Sequence, residues 1–208
     1  MLKKIVLLLS VSLGLLASIT QVQAQKLEVA TFAGGCFWCI ESDFDHVPGV
    51  VKTVSGYTGG HPGKKGDKPT YKTYIKKGHT EALQITFDPT RTSYKKLLDV
   101  FWHSVDPTDA GGQFCDRGPG YTTGVFTNSE KQAAIAKASK QALIKANPEK
   151  KIVTQIFTAG AFFNAERYHQ GYAARNPIRY SYYRRGCGRD ARVKEVWGKK
   201  AHRGISAH

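Results

Sequence analysis

The chain has 208 residues, of which 41% are hydrophobic and 11% aromatic; this composition excludes an intrinsically disordered protein and predicts one folded domain with its own core. Its formal net charge is +15, but the basic residues are spread in pairs such as Lys64-Lys65, Lys76-Lys77 and Arg184-Arg185. Because there is neither a dense basic arm nor a zinc-finger spacing, this charge indicates a solvated basic surface and does not predict nucleic-acid binding.

The N-terminal stretch MLKKIVLLLSVSLGLLASITQVQAQ has the order of a secretory signal. Lys3 and Lys4 precede an apolar run, and Val22-Gln23-Ala24 offers the small residues that a signal peptidase needs. We predict a signal peptide over 1–24 and export of the domain 25–208 to the periplasm or the medium, with no stable membrane association after cleavage. The alternative is an uncleaved anchor, for which the apolar run is short.

The next segment is predicted to alternate between strands and helices. The strand KLEVATFAGG ends in a glycine turn and leads into the helix CFWCIESDFDHV, which Pro48 stops. A second strand, GVVKTVSGYTGG, runs into a polar and mobile glycine-rich loop. In HTEALQITFDP the residues Leu83, Ile85 and Phe87 share one face, since side chains alternate along a strand.

The second half of the chain is predicted to hold two helices and one strand before an irregular tail. Thr92 or Ser93 caps a helix with apolar residues at helical spacing, and a longer helix from Ser129 to Asn147 opens with Ser129-x-x-Gln132. KIVTQIF indicates another strand. From about residue 160 the composition predicts a packed, irregular C-terminal region, with 184–208 as a mobile basic tail. The pattern favours the α+β class, a single domain with a mixed or antiparallel sheet and packed helices.

Four cysteines are present: Cys36, Cys39, Cys115 and Cys187. An exported protein can form disulfides, and four cysteines allow three complete pairings between which the sequence does not choose. No metal site is predicted, because the single Cys-x-x-Cys lacks a second ligand pair. Two structural disulfides are one interpretation, although a domain of this size does not need them.

Two residues are candidates for catalysis. Cys36 follows Gly34-Gly35 at the predicted first turn of a helix, where free N–H groups are expected to lower the pKa of its thiol and leave it exposed as a nucleophile. Cys39 lies one turn further on, near enough for a disulfide. Glu81 shares a face with Leu83, and an apolar surrounding would raise its pKa and keep it protonated as a general acid. The alternative is that Glu81 lies at the strand end and points into water.

The motifs GGCFWC, GYTGG, PTY, GHTEA, FDP and FWHSVDPT, in this order, resemble the A-type peptide methionine sulfoxide reductase family from about Thr31 to Tyr183. The usual Gly-Cys-Phe-Trp-Gly has Cys39 at its last position here. The resemblance implies a ferredoxin-like core and reduction of the S epimer of methionine sulfoxide, in oxidised proteins and as the free amino acid. It also implies no metal or cofactor, a monomer, and an external thioredoxin-like exported reductant.

The resemblance also implies roles for single residues. Cys36 attacks the sulfoxide sulfur, and Glu81 protonates its oxygen. Phe37 and Trp38 are expected to receive the methyl group of the substrate. Tyr71 and Tyr121 are expected to hydrogen-bond the oxygen, and Asp116 to orient the polar end of the site. Cys36 is left as a sulfenic acid that a second thiol must resolve.

The resolving thiol is predicted to be Cys187, either directly with Cys36 or by relay through Cys39. Cys187 lies in Gly186-Cys187-Gly188 within the predicted mobile tail, and Cys39 is one helical turn from Cys36. Cys115 is predicted to be a bystander. Two other classes of function stay open from the residues alone: an exported thiol–disulfide oxidoreductase that uses Cys36 and Cys39, and a cationic binding module with two stable disulfides.

Overall fold

The computed structural model describes residues 26–61 and 67–206, so the predicted signal segment 1–24 and residues 62–66 of the glycine-rich loop lie outside the described residues. In the described ranges, no helix is both long enough and apolar enough to cross a bilayer. The strands are β1 Glu28–Gly34, β2 Val50–Thr58, β3 Thr80–Phe87, β4 Gly112–Gln113, β5 Asp116–Arg117, β6 Thr123–Thr127, β7 Gln155–Thr158 and β8 Phe163–Asn164. The α-helices are α1 Phe37–Asp45, α2 Tyr94–Trp102, α3 Glu130–Ala146, α4 Tyr172–Arg175, α5 Pro177–Gly186 and α6 Arg189–Trp197.

Six strands form a mixed sheet in the order β7-β6-β1-β3-β2-β8, and β4 and β5 form a separate hairpin. Only the β6–β7 pair among these described strands is parallel. The central strand β3 pairs antiparallel with both β1 and β2, so its residues are held from two sides. The predicted α+β class with a mixed sheet and packed helices is confirmed.

The main core lies between one face of the sheet and the helices. The period-two prediction for β3 is confirmed, because Leu83, Ile85 and Phe87 are each fully buried in one cluster. Phe32 of β1 stacks on Phe101 of α2 with ring centroids 4.9 Å apart. The helix starts also agree with the sequence: the side chains of Ser93 and Ser129 accept N-cap hydrogen bonds of α2 and α3.

The C-terminal region differs from the prediction of an irregular, mobile tail. Residues from Pro177 to Trp197 form α5 and α6, and both helices bury a face against the domain. The buried positions are Tyr180 and Arg184 on α5 and Arg189, Val193 and Trp197 on α6, at helical spacing of four. The prediction was wrong because arginine and tyrosine occupy positions where a periodicity analysis looks for aliphatic residues.

Two of these arginines pair with one buried carboxylate. Asp43 of α1 is completely buried, and its two oxygens lie 2.7 Å from Arg184 Nη1 and 3.4 Å from Arg189 Nη2. Arg189 also donates to the carbonyl of Gly34 at 3.0 Å and to that of Ser104 at 2.9 Å. These contacts involve both Nη atoms of the guanidinium, whereas its buried Nε has no hydrogen-bond partner. They tie α6 to the turn between β1 and α1.

Candidate active site

The turn from β1 into α1 places Cys36 at the N-cap of the helix. Gly35 has φ +80°, and a Cβ at this position would lie 2.5 Å from Cβ of Gln113, so both its backbone angle and the space require glycine. The backbone amides of Cys39 and Ile40 donate to the carbonyl of Cys36 and begin the helix. Cys36 is therefore held rigidly at the junction of sheet and helix.

The Cys36 thiol is covered by protein. Its residue is 7% exposed and belongs to a small cluster with Cys39, Trp38, Tyr172 and Tyr183. Burial raises the pKa of Cys36 well above its ordinary value, and hydrogen bonding to Cys39 and the nearby Glu81 add to this. The prediction of an exposed thiol with a lowered pKa is therefore wrong, because removal from water outweighs the partial positive charge of the helix N-terminus.

Cys39 carries the opposite shift. Its pKa is lowered, chiefly because the Cys36 thiol donates a hydrogen bond to it, and the positive charges of Arg189 and Arg184 act in the same direction. Burial opposes this effect, since Cys39 is only 2% exposed. The two opposite shifts favour the shared proton on Cys36 and, when one of the two thiols ionises, the negative charge on Cys39. Both thiols are free in the structure.

Glu81 lies inside the protein beside this dithiol. It is 1% exposed; its Oε2 accepts a hydrogen bond from the backbone N–H of Phe37 at 2.9 Å, and its Oε1 accepts from the Tyr74 hydroxyl at 3.3 Å. Burial raises its pKa to about 8, although both hydrogen bonds oppose the rise. Glu81 is thus protonated at neutral pH, and the alternative of a strand-end carboxylate in water is excluded.

Aromatic rings surround these groups. Phe37 is 1% exposed, with its ring centroid 5.9 Å from that of Tyr57 and 4.9 Å from that of His169. Trp38 is half-buried and stacks on Tyr172 at 3.7 Å between centroids. Of the two predicted methyl-binding residues, Trp38 is therefore the more accessible, and Phe37 forms the floor beneath it.

The predicted oxygen-binding tyrosines lie together on the side of Glu81. The Tyr121 hydroxyl is within hydrogen-bonding reach of the hydroxyls of Tyr71 and Tyr74. Tyr71 is held at its backbone N–H by Oε1 of Glu166, 2.9 Å away, while Oε2 of the same carboxylate accepts from Tyr57 at 2.8 Å. Three phenol groups thus lie beside the protonated carboxyl, a suitable set of donors for an oxygen that gains negative charge.

Asp116 lies at the other end of the site, beside a disulfide. Its Oδ2 accepts from the Tyr183 hydroxyl, which is also within hydrogen-bonding reach of Cys36, and lies 3.8 Å from Sγ of Cys187. Cys187 is bonded to Cys115, with Cα atoms 4.8 Å apart. The prediction that Cys115 is a bystander is wrong. The sequence did not reveal this disulfide, because its two cysteines are 72 positions apart and Cys187 follows helix α5, which was not predicted.

His169 and Tyr183 were not predicted from the sequence. His169 is 2% exposed, and its Nδ1 accepts a hydrogen bond from Nε1 of Trp38 at 3.0 Å. Its ring also contacts Phe37 and Tyr71, with centroids 4.9 and 4.6 Å away. Burial lowers the pKa of His169, which keeps the ring neutral and able to accept. The only sequence signal for both residues is the aromatic character of the region after residue 160.

We expect His169→Phe to weaken substrate binding more than chemistry. Phenylalanine keeps the ring contacts but leaves the Trp38 N–H without its acceptor, a loss of about 1–3 kcal/mol. KM for methionine sulfoxide should rise with little change in kcat, and steady-state kinetics would measure both. His169→Gln retains an acceptor and should restore KM in part. Equal loss in both variants would show that the ring, and not the hydrogen bond, positions Trp38.

The geometry of a buried dithiol beside a protonated carboxyl and three phenols agrees with the sequence relationships of the chain. Residues 28–201 match the family described as "Peptide methionine sulfoxide reductase". The chain belongs to this family. The reductase is accordingly a thiol-dependent oxidoreductase that reduces methionine sulfoxide, an activity that repairs oxidised proteins.

Similar proteins support this membership over nearly the whole chain. The reductase is 52% identical over 186 residues to peptide methionine sulfoxide reductase MsrA 2 of Rhizobium meliloti (strain 1021), covering 88% of this chain and 90% of that protein. It is 49% identical over 180 residues to MsrA of Bacillus subtilis (strain 168), covering 85% and 99%. Among solved structures, reduced Mxr1 of Saccharomyces cerevisiae has a TM-score of 0.67 at 30% identity, covering 75% of this chain and 89% of that one.

Proposed function

We propose that the reductase acts on the S epimer of methionine sulfoxide, both in proteins and as the free amino acid, with Cys36 as the nucleophile and Glu81 as the general acid. The observation that carries this proposal is the position of Glu81, buried, protonated at neutral pH and bonded to the backbone of the residue next to Cys36. A thiol–disulfide oxidoreductase has no leaving oxygen to protonate and does not need Glu81, and a binding module with two stable disulfides would not keep Cys36 and Cys39 free.

The first half of the reaction moves two protons and two electrons. Cys39 thiolate takes the proton of Cys36 across their hydrogen bond while Cys36 sulfur attacks the sulfoxide sulfur. Glu81 protonates the sulfoxide oxygen, which Tyr71 and Tyr121 also bind. The substrate's sulfur–oxygen bond breaks and the protonated oxygen leaves as hydroxide, so Cys36 is bonded to the methionine sulfur. Hydroxide then adds to the Cys36 sulfur, the sulfur–sulfur bond breaks, methionine leaves, and Cys36 becomes a sulfenic acid. Cys39 thereby serves as the base that deprotonates Cys36, whose pKa is raised by burial.

Substrate orientation follows from the walls of the site. Trp38 offers an apolar surface for the methyl group, with Phe37 behind it, and Asp116 with Tyr183 faces the polar end of the substrate. The hydrogen-bond donors on one side of the site bind the sulfoxide oxygen, and the apolar ring on the other side contacts the methyl group. Because the sulfur is tetrahedral, only one epimer can place its oxygen at Glu81 and its methyl group at Trp38 at the same time. This arrangement supports selectivity for a single epimer.

The second half of the reaction forms a disulfide. Cys39, now a thiol, attacks the sulfur of the Cys36 sulfenic acid; the hydroxyl leaves and takes the Cys39 proton to form water. The oxidising equivalents then lie in a Cys36–Cys39 bond. The backbone N–H of Cys39 donates to the carbonyl of Cys36 in the first turn of α1. Formation of the disulfide therefore requires a change of backbone geometry in that first turn only.

The cellular setting is part of the same proposal. The basic and apolar N-terminal segment supports export to the periplasm or medium, where a thioredoxin-like exported protein would supply electrons. The enzyme would work as a monomer without metal or cofactor, since thiols and one carboxyl suffice for the chemistry described.

Separate assays with pure S and R epimers of free and peptide-bound methionine sulfoxide test this function. With dithiothreitol as reductant, we expect methionine from the S epimer and none above background from the R epimer. Enzyme alkylated with iodoacetamide after reduction is the control and should be inactive. Equal rates on both epimers would contradict the proposed orientation by Trp38 and the donor side chains.

A further inference from the structure

Three possible metal ligands lie together at the end of the site that is away from Glu81. Among the residues that the structure describes, the sulfurs of Cys115 and Cys187 and a carboxylate oxygen of Asp116 all lie within 4.8 Å of one another. Cys115 and Asp116 lie at the start of β5, whereas Cys187 lies between α5 and α6. Two sulfurs and one carboxylate oxygen are ligands that zinc accepts in proteins.

The separation of two of these atoms suits a tetrahedral zinc site. Zinc–sulfur bonds are about 2.3 Å long and zinc–oxygen bonds about 2.0–2.2 Å, so neighbouring ligand atoms in such a site are about 3.5–3.8 Å apart. Oδ2 of Asp116 lies 3.8 Å from Sγ of Cys187. While Cys187 is bonded to Cys115, neither sulfur is a thiolate, and only the thiolate binds a metal. The ligand set is therefore complete only when a reductant has opened this disulfide.

The two sulfurs have room to separate once the disulfide is open. Cys115 is exposed and Cys187 is half-buried. Gly186 and Gly188 flank Cys187, and a Cβ built at either glycine would meet nothing within 4 Å. Both cysteine side chains can therefore turn without displacing packed neighbours. Solvent also reaches the sulfurs, so water can supply the fourth ligand of the metal.

Neighbouring groups orient these ligands and balance their charge. The Tyr183 hydroxyl donates to Oδ2 of Asp116, and the backbone N–H of Cys115 donates to Sγ of Cys187 at 3.2 Å. Hydrogen bonds to the ligands of a metal fix their orientation. Two thiolates and one carboxylate carry three negative charges, of which a divalent cation neutralises two. The positive charge of Arg189, which acts on Asp116, offsets the third.

We propose that Cys115 and Cys187 in their reduced state, together with Asp116, bind one zinc ion with water as the fourth ligand. On binding, both thiols lose their protons and each sulfur forms a bond to zinc, with no change of oxidation state. The two sulfurs must leave the metal before they can bond to each other, so zinc slows the return to the disulfide. Neither Cys36 nor Glu81 takes part in this site, so zinc binding is independent of the proposed function.

Zinc titration of the variant Cys36→Ser/Cys39→Ser tests the proposal, because its only remaining cysteines are Cys115 and Cys187. The variant is reduced with a phosphine, freed of reductant under anaerobic conditions and titrated in a calorimeter. It should bind one zinc ion per chain and release protons, whereas the oxidised variant should bind none. Cobalt in place of zinc should give the thiolate-to-metal and d–d absorption bands of a tetrahedral site. Absence of binding by the reduced variant, or equal binding by the oxidised one, would overturn the proposal.

Asp116→Asn in the same background separates a three-ligand site from a dithiol alone. Loss of the carboxylate should weaken zinc binding by about tenfold or more, the loss typical even for groups that only support a metal ligand. Asp109→Asn is the matched control, because Asp109 pairs with Arg117, the residue next to Asp116, and is not one of the three ligands. Equal affinities of the two variants would exclude Asp116 from the site.

The wild type supplies a readout that does not depend on the folding of a variant. Fully reduced enzyme is treated with the thiol oxidant diamide, and the Cys115–Cys187 disulfide is followed by alkylation and mass spectrometry. With free zinc at about ten times its dissociation constant, this disulfide should form about tenfold more slowly, because only the metal-free fraction can oxidise. EDTA should restore the faster rate. The same rate with and without zinc would contradict a metal held by these two sulfurs.

Discussion

Replacement of Cys36 by serine is expected to abolish methionine formation. A serine hydroxyl at this position cannot take up an oxygen, as a thiol does when it becomes a sulfenic acid. No other thiol occupies the turn between β1 and α1. Single-turnover assays with methionine S-sulfoxide and no added reductant should therefore give no methionine above the level without enzyme. Circular dichroism would confirm that the variant is folded, since serine and cysteine differ by one atom.

Cys39→Ser is the matched control for this variant. Prepared with its Cys115–Cys187 disulfide intact, it has Cys36 as its only free thiol. It should form about one equivalent of methionine, more slowly than the wild type because the thiolate base is missing, and stop as a Cys36 sulfenic acid. A 1,3-diketone reagent that traps sulfenic acids should then add to Cys36. Stoichiometric methionine from Cys36→Ser would refute the nucleophile.

Glu81→Gln is expected to slow the chemical step by about a hundredfold or more, the usual loss when a positioned general acid is removed. Glutamine keeps the shape and can still accept from the Phe37 N–H, but it has no proton to give. Glu41→Gln is a matched control, because Glu41 is 3% exposed and has its pKa raised by burial to about 7. Its carboxylate accepts from the backbone N–H groups of Gly171, at 2.8 Å, and Tyr172, whereas that of Glu81 accepts from the Tyr74 hydroxyl. Similar single-turnover rates for the two variants would contradict the role of Glu81.

The pH dependence of the same step gives an independent check. Burial holds the pKa of Glu81 at about 8, so the acid is present below this pH and the rate should fall as pH rises through it. Glu81→Gln should lack this descending limb. Between these two pKa values, the folded protein keeps the Glu81 proton that the unfolded chain, with an ordinary carboxyl pKa of 4.5, has lost. The free energy of unfolding therefore has its full contribution from Glu81 protonation below pH 4.5, and this contribution is lost as pH rises toward 8. Chemical denaturation at pH 6 and pH 9 would measure that change.

The sequence predicted those parts of the site that depend on local geometry. The glycine turn placed Cys36 at a helix start, and the alternation in β3 placed Glu81 on the core side with Leu83. Both inferences need only the spacing of side chains along one element. The raised pKa of Glu81 followed from that placement, because a carboxyl on an apolar face loses its water.

The remaining features depend on contacts between distant segments. The thiol pKa of Cys36 was expected to fall because of the helix end, yet its direction is set by burial under Trp38, Tyr172 and Tyr183, which local sequence does not reveal. The helices α5 and α6 were missed since their buried faces carry arginines. Their absence from the prediction also hid the partner of Cys187, because α5 is the element that brings it to Cys115.

The bond from Arg189 to the carbonyl of Gly34 spans 155 residues of sequence, so the surroundings of the dithiol are completed by the last helix of the chain. Contacts of such long sequence separation form late in folding, after the loop-closure entropy between them has been overcome. A chain that is still emerging from a ribosome or a translocation channel therefore carries Cys36 and Cys39 without the two cations that favour the Cys39 thiolate. A fragment cut before α6 would keep the Cys-x-x-Cys sequence and Arg184 but lack Arg189, one of the two positive charges that lower the pKa of Cys39. The surroundings of the dithiol are therefore complete only after α6 has been synthesised and packed.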